Sequence, residues 1–165
     1  MTLARMIASV GGVGYLSPGP GTWGSLAALP LAWGLHVLGG FPLLLLGIAA
    51  VCSSGFWATK RLTEGQADHD PSWIVIDEVA GQWIALLALS FPAWHAGIDI
   101  HRLWPGWIAA FVLFRLFDIW KPGPVGWADR KGGPLGVMLD DVIAGVLAGL
   151  CVLAMAYVAH EVVMR

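Results

Sequence analysis

Charge is scarce in this sequence. Asp, Glu, Lys and Arg together make up 12% of its 165 residues, against roughly 25% in an average soluble domain. That excludes a surface facing water on all sides. Cysteine is scarcer still. Cys52 and Cys151 are the two present, each inside an apolar run, which excludes a disulfide framework or a thiolate metal centre and leaves both as small core or lipid-facing residues. There is no basic tract, and the formal net charge is −2, so nucleic acid is not an expected partner. No Gly-Lys-Ser/Thr ending closes a glycine-rich loop, so no Walker-type nucleotide site is present. The first nine residues carry one charge, Arg5, with no apolar stretch and small-residue cleavage site behind it, so no cleavable leader is expected. The length is that of one folded unit, taken as a single domain over residues 1–165.

What the chain has in quantity is apolar surface: 58% hydrophobic residues and a mean hydropathy of +0.74. Five apolar segments stand out, at about Thr22–Leu38, Phe41–Thr59, Ile74–Pro92, Leu103–Trp120 and Val137–His160. A membrane-crossing helix needs roughly 20 residues at about 1.5 Å each. The expected fold is therefore all-α, a polytopic integral membrane bundle of about five apolar helices with loops of the inner face carrying the site. The first segment is the shortest, and suits a crossing with little tilt or a thinner patch of bilayer. Gly39-Gly40-Phe41-Pro42 breaks it from the second and makes the two a helical hairpin.

With an inner N-terminus, five crossings put Arg5, Lys60, Arg61, Arg115, Lys121, Arg130 and Lys131 inside and only Arg102 and Arg165 outside, the sense the positive-inside bias favours. Trp73, Trp120 and Trp127 then fall at the inner interface and Trp94, Trp104 and Trp107 at the outer one, where tryptophan is enriched; Trp33 and Trp83 sit mid-segment as packing residues. The same threading puts Glu64, Asp68, Asp70, Asp77, Glu78, Asp118, Asp129, Asp140 and Asp141 inside and only Asp99 and Glu161 outside. The positive-inside bias says nothing about acids, so this second asymmetry is independent of the first.

Two stretches echo one another: Ile76-Asp77-Glu78-Val79-Ala80-Gly81 and Leu139-Asp140-Asp141-Val142-Ile143-Ala144-Gly145. Each reads as an acidic pair opening an apolar helix. A favourable helix dipole explains one acid in such a place; two adjacent acids, twice, ask for more. Adjacent residues point about 100° apart, so each pair can turn at least one carboxylate into the bundle. Gly81 and Gly145, four residues after Asp77 and Asp141, allow a neighbouring helix close. Carboxylates gathered this way repel. A divalent cation relieves that, and oxygen-only ligands favour Mg²⁺ over zinc. Asp70, seven residues before Asp77, can fold back onto the same place, whereas Asp68 and His69 read as a solvated loop.

Arg115, Asp118 and Lys121 lie at i, i+3 and i+6, roughly one face of the fourth helix, and Pro122 ends it. This stripe can hold a phosphate between two cations while Asp118 helps bind metal, or can be an internal salt-bridge ladder with Lys121 snorkelling. Ser17-Pro18-Gly19-Pro20-Gly21-Thr22-Trp23-Gly24-Ser25 precedes the first apolar segment. Thr22 or Ser25 can cap the helix, and free N–H groups of its start, Gly21 among them, suit a phosphate; a plain capped loop is the other reading. Gly145 and Gly149, with Ala144 and Ala148, read as a packing face. His36, His95, His101 and His160 show no partner pattern and carry no expected chemistry.

These motifs, in order, resemble the phosphatidylglycerophosphatase A family: Pro20-Gly21-Thr22-Trp23-Gly24-Ser25; Asp70 with Ile74-Val75-Ile76-Asp77-Glu78; Phe114-Arg115-Leu116-Phe117-Asp118-Ile119-Trp120-Lys121-Pro122; Asp129-Arg130; and Gly136-Val137-Met138-Leu139-Asp140-Asp141. Together they cover nearly the whole chain. The resemblance implies a Mg²⁺-dependent lipid phosphatase of the bacterial inner membrane, acting from the cytoplasmic side on phosphatidylglycerophosphate and releasing phosphatidylglycerol and phosphate. Its partner is then the phospholipid substrate in the bilayer; oligomeric state is left open. On this reading Asp70, Asp77, Glu78, Asp140 and Asp141 hold the metal. Asp77, Asp118 and Asp141 are catalytic, and Gly21, Thr22, Ser25, Arg115, Lys121 and Arg130 bind phosphate. The rivals are another Mg²⁺-dependent phospholipid phosphotransferase, whose Asp-Gly and Ala-Arg signature is missing here, and a small cation transporter, which calls for carboxylates near the bilayer midplane. A histidine-dependent lipid phosphatase needs an Arg-Pro-Ser-Gly-His type segment that the chain lacks.

Overall fold

A computed structural model describes residues 1–66 and 71–163. They form an all-α bundle: α1 (Leu3–Ala8), α2 (Pro20–Thr63), α3 (Ile76–Ala96), α4 (Trp104–Trp120), α5 (Pro124–Asp129) and α6 (Gly133–Val158), with short tight turns of helix at Val13–Tyr15 and Ile100–Leu103 and a wider π-helical turn at Ala159–Val163. Among the described residues, three stretches are long and apolar enough to cross a membrane: Pro20–Thr63, Ile100–Trp120 and Gly133–Val162.

The first of these is 44 residues long, but it is broken at Gly39 and Gly40, where Gly40 takes φ +66°. The chain folds back there. A β-carbon added to Gly47 would meet the Leu35 side chain at 2.8 Å, a contact that a straight helix of this length forbids. The hairpin expected from the Gly-Gly-Phe-Pro break is therefore present, as arms of residues 20–38 and 41–63. A β-carbon on Gly40 would overlap the Trp94 indole, so a larger residue there would push the hairpin tip off α3.

α3 is the central helix. It packs against both arms of α2, α4 and α6. That position explains why it falls outside the three apolar stretches although it has 21 residues. It faces protein rather than lipid, so it tolerates Asp77, Gln82 and Ser90, all buried. Around it the packing residues are small: Ala28, Ala32, Ala85, Ala110, Ala144 and Ala148 are all buried, which lets helix backbones approach. The reverse holds outside, where Leu38, Leu46, Trp104, Ile119, Trp120 and Tyr157 are each more than 60% exposed.

Several boundaries differ from the sequence expectation. α3 continues past Pro92 to Ala96; proline removes one hydrogen bond without forcing a stop where neighbouring helices hold the path. α2 starts at Pro20 behind an N-cap Gly19 with no side-chain cap, so neither Thr22 nor Ser25 caps it. Proline at the first helical position is already set to a helical φ. α6 starts at Gly133, four residues before the expected Val137. His36 does have a partner, the Ser90 hydroxyl at 2.8 Å, and His101 lies 2.9 Å from Asp99.

Candidate metal and phosphate site

The site is made by one helix crossing. α3 and α6 run parallel, with Gly81 against Gly145 and Ala85 against Gly149. A β-carbon on Gly145 would overlap the Gly81 carbonyl, and one on Gly81 would come within 2.6 Å of the Asp141 carbonyl oxygen. Backbone touches backbone, as the two glycines allow. One turn before the crossing, Asp77 and Asp141 are carried inward, 6% and 3% exposed. Glu78, beside Asp77, turns toward α4 and the start of α2; Asp140, beside Asp141, turns toward the end of α4.

α4 arrives antiparallel and supplies the cations. The Arg115 guanidinium lies 2.6 Å from Asp118 Oδ2 and 4.0 Å from Glu78 Oε1. α4 ends at Trp120, and Lys121 takes a left-handed conformation with φ +49°. That turn breaks the stripe expected from the i, i+3, i+6 spacing. Lys121 donates to Asp140 Oδ2 at 2.8 Å and to Asp129 of α5, not to Asp118. Burial opposes its charge, but these two hydrogen bonds outweigh it and raise the Lys121 pKa above the ordinary lysine value.

Together these groups line a cavity of about 190 Å³, with Gly19, Pro20, Gly21, Ser72, Ile74 and Val137 completing the wall. Ligand pockets for drug-sized molecules run to about 300–1,000 Å³, so this one accepts a small polar group rather than a whole lipid. Five carboxylates (Asp77, Glu78, Asp118, Asp140 and Asp141) face two cations, Arg115 and Lys121. Oxygens of Asp77, Glu78 and Asp141 lie within 4.8 Å of one another, and so do those of Asp118, Asp140 and Asp141. Asp141 belongs to both sets. Glu78 Oε2 is buried with no hydrogen-bond partner among the described residues. An all-oxygen donor set with surplus negative charge fits a hard divalent cation.

The helix dipole accounts for only one acidic pair. Asp77 and Glu78 lie in the first turn of α3. Asp140 and Asp141 lie two turns inside α6, whose first turn holds no acid, beyond the reach of the dipole. The expectation that both pairs open their helices is corrected for α6.

A family model for phosphatidylglycerophosphatase A matches residues 6–156. The chain belongs to the phosphatidylglycerophosphatase A family. It is 38% identical to phosphatidylglycerophosphatase A of Escherichia coli K12 over 138 residues, covering 78% of this chain and 69% of that protein. The Haemophilus influenzae protein of the same name is also 38% identical, over 88% of this chain and 84% of its own length. A Bacteroides thetaiotaomicron relative with a provisional phosphatidylinositol-3-phosphatase name is 41% identical over 82% of each chain. No solved structure matches.

Of the residues singled out in the sequence, Gly21, Asp77, Glu78, Arg115, Asp118, Lys121, Asp140 and Asp141 meet at the cavity. Ser25 is buried in α2, its hydroxyl donating to the Gly21 carbonyl at 2.9 Å. Thr22 is half-buried in the first turn of α2 and, like Ser25, is outside the cavity lining. Arg130 is exposed beside Gly126 of α5. Asp70 lies outside the described residues, as do Asp68 and His69. Sequence reasoning missed Ser72, on the cavity wall, and Asp129 as the second partner of Lys121. A lone serine in a loop gives no signal; Asp129, eight residues from Lys121, is brought near only by the turn at Pro122.

Proposed function

We propose that the protein hydrolyses the terminal phosphomonoester of phosphatidylglycerophosphate, yielding phosphatidylglycerol and inorganic phosphate, with Mg²⁺ held by Asp77, Glu78, Asp140 and Asp141 at the cytoplasmic face of the bacterial inner membrane. Membership of the phosphatidylglycerophosphatase A family carries the activity. The carboxylate cluster at one end of an apolar bundle supports the metal and the depth. On this reading the two arms of α2 and helices α3, α4 and α6 make five crossings. Lys60, Arg61, Arg115, Lys121, Arg130 and Lys131 then lie at the inner end, as the positive-inside bias favours.

When bound, Mg²⁺ supplies Lewis-acid polarisation of the phosphoryl oxygens and a more acidic water. The chain's own residues do the rest. Arg115 and Lys121 set positive charge against the transferred phosphoryl group, where charge spreads over its outer oxygens. Gly21, in the first turn of α2, brings a helix N-terminus to the cavity wall, a favourable end for an anion. A β-carbon there would overlap the Glu78 carboxylate, so glycine leaves that carboxylate its place at the wall. Asp118 has Oδ2 tied to Arg115, so Oδ1 is the acceptor for the proton of the attacking water. Water oxygen bonds to phosphorus, the bond from phosphorus to the glycerol oxygen breaks, and that proton ends on the glycerol oxygen. The acyl chains stay in lipid, since the cavity admits only the headgroup end.

The test is phosphate release by purified protein in detergent micelles. Phosphatidylglycerophosphate should be hydrolysed with Mg²⁺ present, and activity should vanish in chelator and return with Mg²⁺. The name of the Bacteroides relative makes phosphatidylinositol 3-phosphate the informative competitor; preferential hydrolysis of that lipid would overturn the substrate assignment. Ion flux into liposomes without any phosphate release would favour the transporter reading.

A further inference from the structure

One turn below the cavity, α3 carries a side chain that no sequence motif singles out. Gln82 is 0% exposed, and both its amide atoms, Oε1 and Nε2, lack a hydrogen-bond partner among the described residues. Leaving a buried amide unsatisfied is costly, and a buried polar group in that state asks for an explanation. Gln82 is four residues after Glu78, so the two stand on one face of α3. Neighbouring contacts fix where that face looks. Leu89, further along it, meets Gly106 of α4, and Trp83, beside it, donates to the Ala28 carbonyl of α2 at 2.8 Å. Gln82 therefore points into the wedge between α3, α4 and the first arm of α2, beneath Glu78 and on the side from which Arg115 reaches over.

Three other buried atoms on neighbouring side chains have no hydrogen-bond partner among the described residues: Glu78 Oε2, an acceptor, and Arg115 Nε and Nη1, donors, of which Nη1 is in ion-pair contact with Asp118 at 2.6 Å. Gln82 offers the complement of each, an acceptor at Oε1 and donors at Nε2. We propose that Gln82 is a positioning residue for the phosphatase site, bridging Arg115 and Glu78 from below. It accepts from Arg115 Nε–H and donates to Glu78 Oε2, directly or through one water, when substrate occupies the cavity. The bridge holds the guanidinium toward the phosphoryl group and leaves Glu78 Oε1 facing the cavity. This rests on the phosphatase reading above.

The test compares Gln82→Met with wild type on phosphatidylglycerophosphate. Methionine is unbranched and of similar length, and it removes a buried unsatisfied amide, so the melting temperature in detergent should stay level or rise. The bridge predicts that kcat falls at least tenfold while KM stays within twofold. A kcat within twofold of wild type would overturn it. Gln82→Asn keeps the amide but shortens it by one methylene, too short to span both partners, so a similar fall in kcat is expected in a folded protein; full activity overturns the bridge even if the methionine variant fails to fold. In an Arg115→Lys background, which has no Nε–H to donate, adding Gln82→Met should cost less than threefold. A full tenfold loss there would overturn the role through Arg115. Wild-type protein without phosphatase activity would remove the underlying reading and this one with it, whereas an active wild type beside an unaffected Gln82→Met removes only the role of Gln82.

Discussion

The acidic pair of α3 and the acidic pair of α6 start from nearly the same residues and sit in different electrostatic company. Asp77 and Glu78 are in the first turn of their helix, where the N-terminal dipole favours negative charge. Asp140 and Asp141 are two turns into theirs and receive no such help. Their compensation comes from Lys121, 2.8 Å from Asp140. Relative to the crossing, Asp77 and Asp141 are the equivalent residues, each four before its glycine, and they are the two that meet with Glu78. The odd acids fall on opposite sides: Glu78 follows Asp77 and goes to Arg115, while Asp140 precedes Asp141 and goes to Lys121. An echo in sequence has become a centre with one shared carboxylate and two separately managed flanks.

The largest effect should come from breaking the shared position. Asp141 belongs to both carboxylate sets and Asp140 to one. Groups that merely support metal ligands are worth about 10–100-fold, so Asp141→Asn should lower kcat/KM by on the order of 100-fold or more, and Asp77→Asn similarly. Asp140→Asn, partly committed to Lys121, should lose less, on the order of tenfold. Steady-state phosphate release for the three variants decides the ranking. Full activity in Asp77→Asn or Asp141→Asn would show that the cluster is not the reaction centre.

The crossing itself can be broken without touching an acid. Gly145→Ala puts a methyl group onto the Gly81 carbonyl, and overpacking a tight contact costs about 1–3 kcal/mol. Gly34→Ala is the control, because nothing lies within 4 Å of a β-carbon there and alanine is the better helix former by roughly 1 kcal/mol. Melting in detergent should therefore move in opposite directions for the two. Activity should fall only for Gly145→Ala, since separating α3 from α6 pulls Asp77 from Asp141. Equal stability of the two variants would show that the backbone contact is not what sets the site.

Much of this centre was legible because acids are conspicuous in apolar runs. Asp77, Glu78, Asp140 and Asp141 stand out against their neighbours, and the glycines four residues after Asp77 and Asp141 mark where backbones approach. The Gly39-Gly40 break gave the hairpin for the same reason: few signals are stronger than paired glycines between apolar segments. What stayed hidden depends on contacts distant in sequence. The eight-residue reach from Lys121 to Asp129 needs the left-handed turn at Lys121, which no propensity favours for lysine. The early start of α6 was concealed because Gly133-Pro134 reads as a loop, although proline is well placed in a first helical turn. Gln82 is a single polar residue in an apolar helix with no motif around it, and only its burial sets it apart.

The smallest expected change in stability tests the α6 flank at Lys121. Lysine there is held at φ +49° and ψ +53°, a conformation that costs an L-residue roughly 1–2 kcal/mol and costs glycine nothing. Strain of this kind tends to persist at functional sites, where surrounding contacts hold it in place. Lys121→Gly relieves the backbone but removes the partner of Asp129 and Asp140, two terms of opposite sign. Its net effect on melting should be a loss of about 1 kcal/mol, because the Asp129 pair is open to solvent and contributes modestly while Asp140, 7% exposed, is left without its cation at a cost somewhat larger than the backbone relief. Its effect on kcat/KM should be a loss of about tenfold or more, since the cation facing the phosphoryl group is gone. Lys121→Arg restores the charge without the relief, and should recover part of the activity at no gain in stability. If Lys121→Gly were instead strongly destabilised and no less active per folded molecule, Lys121 would be a structural tie between α4, α5 and α6, and the two acidic flanks would differ in packing rather than in chemistry.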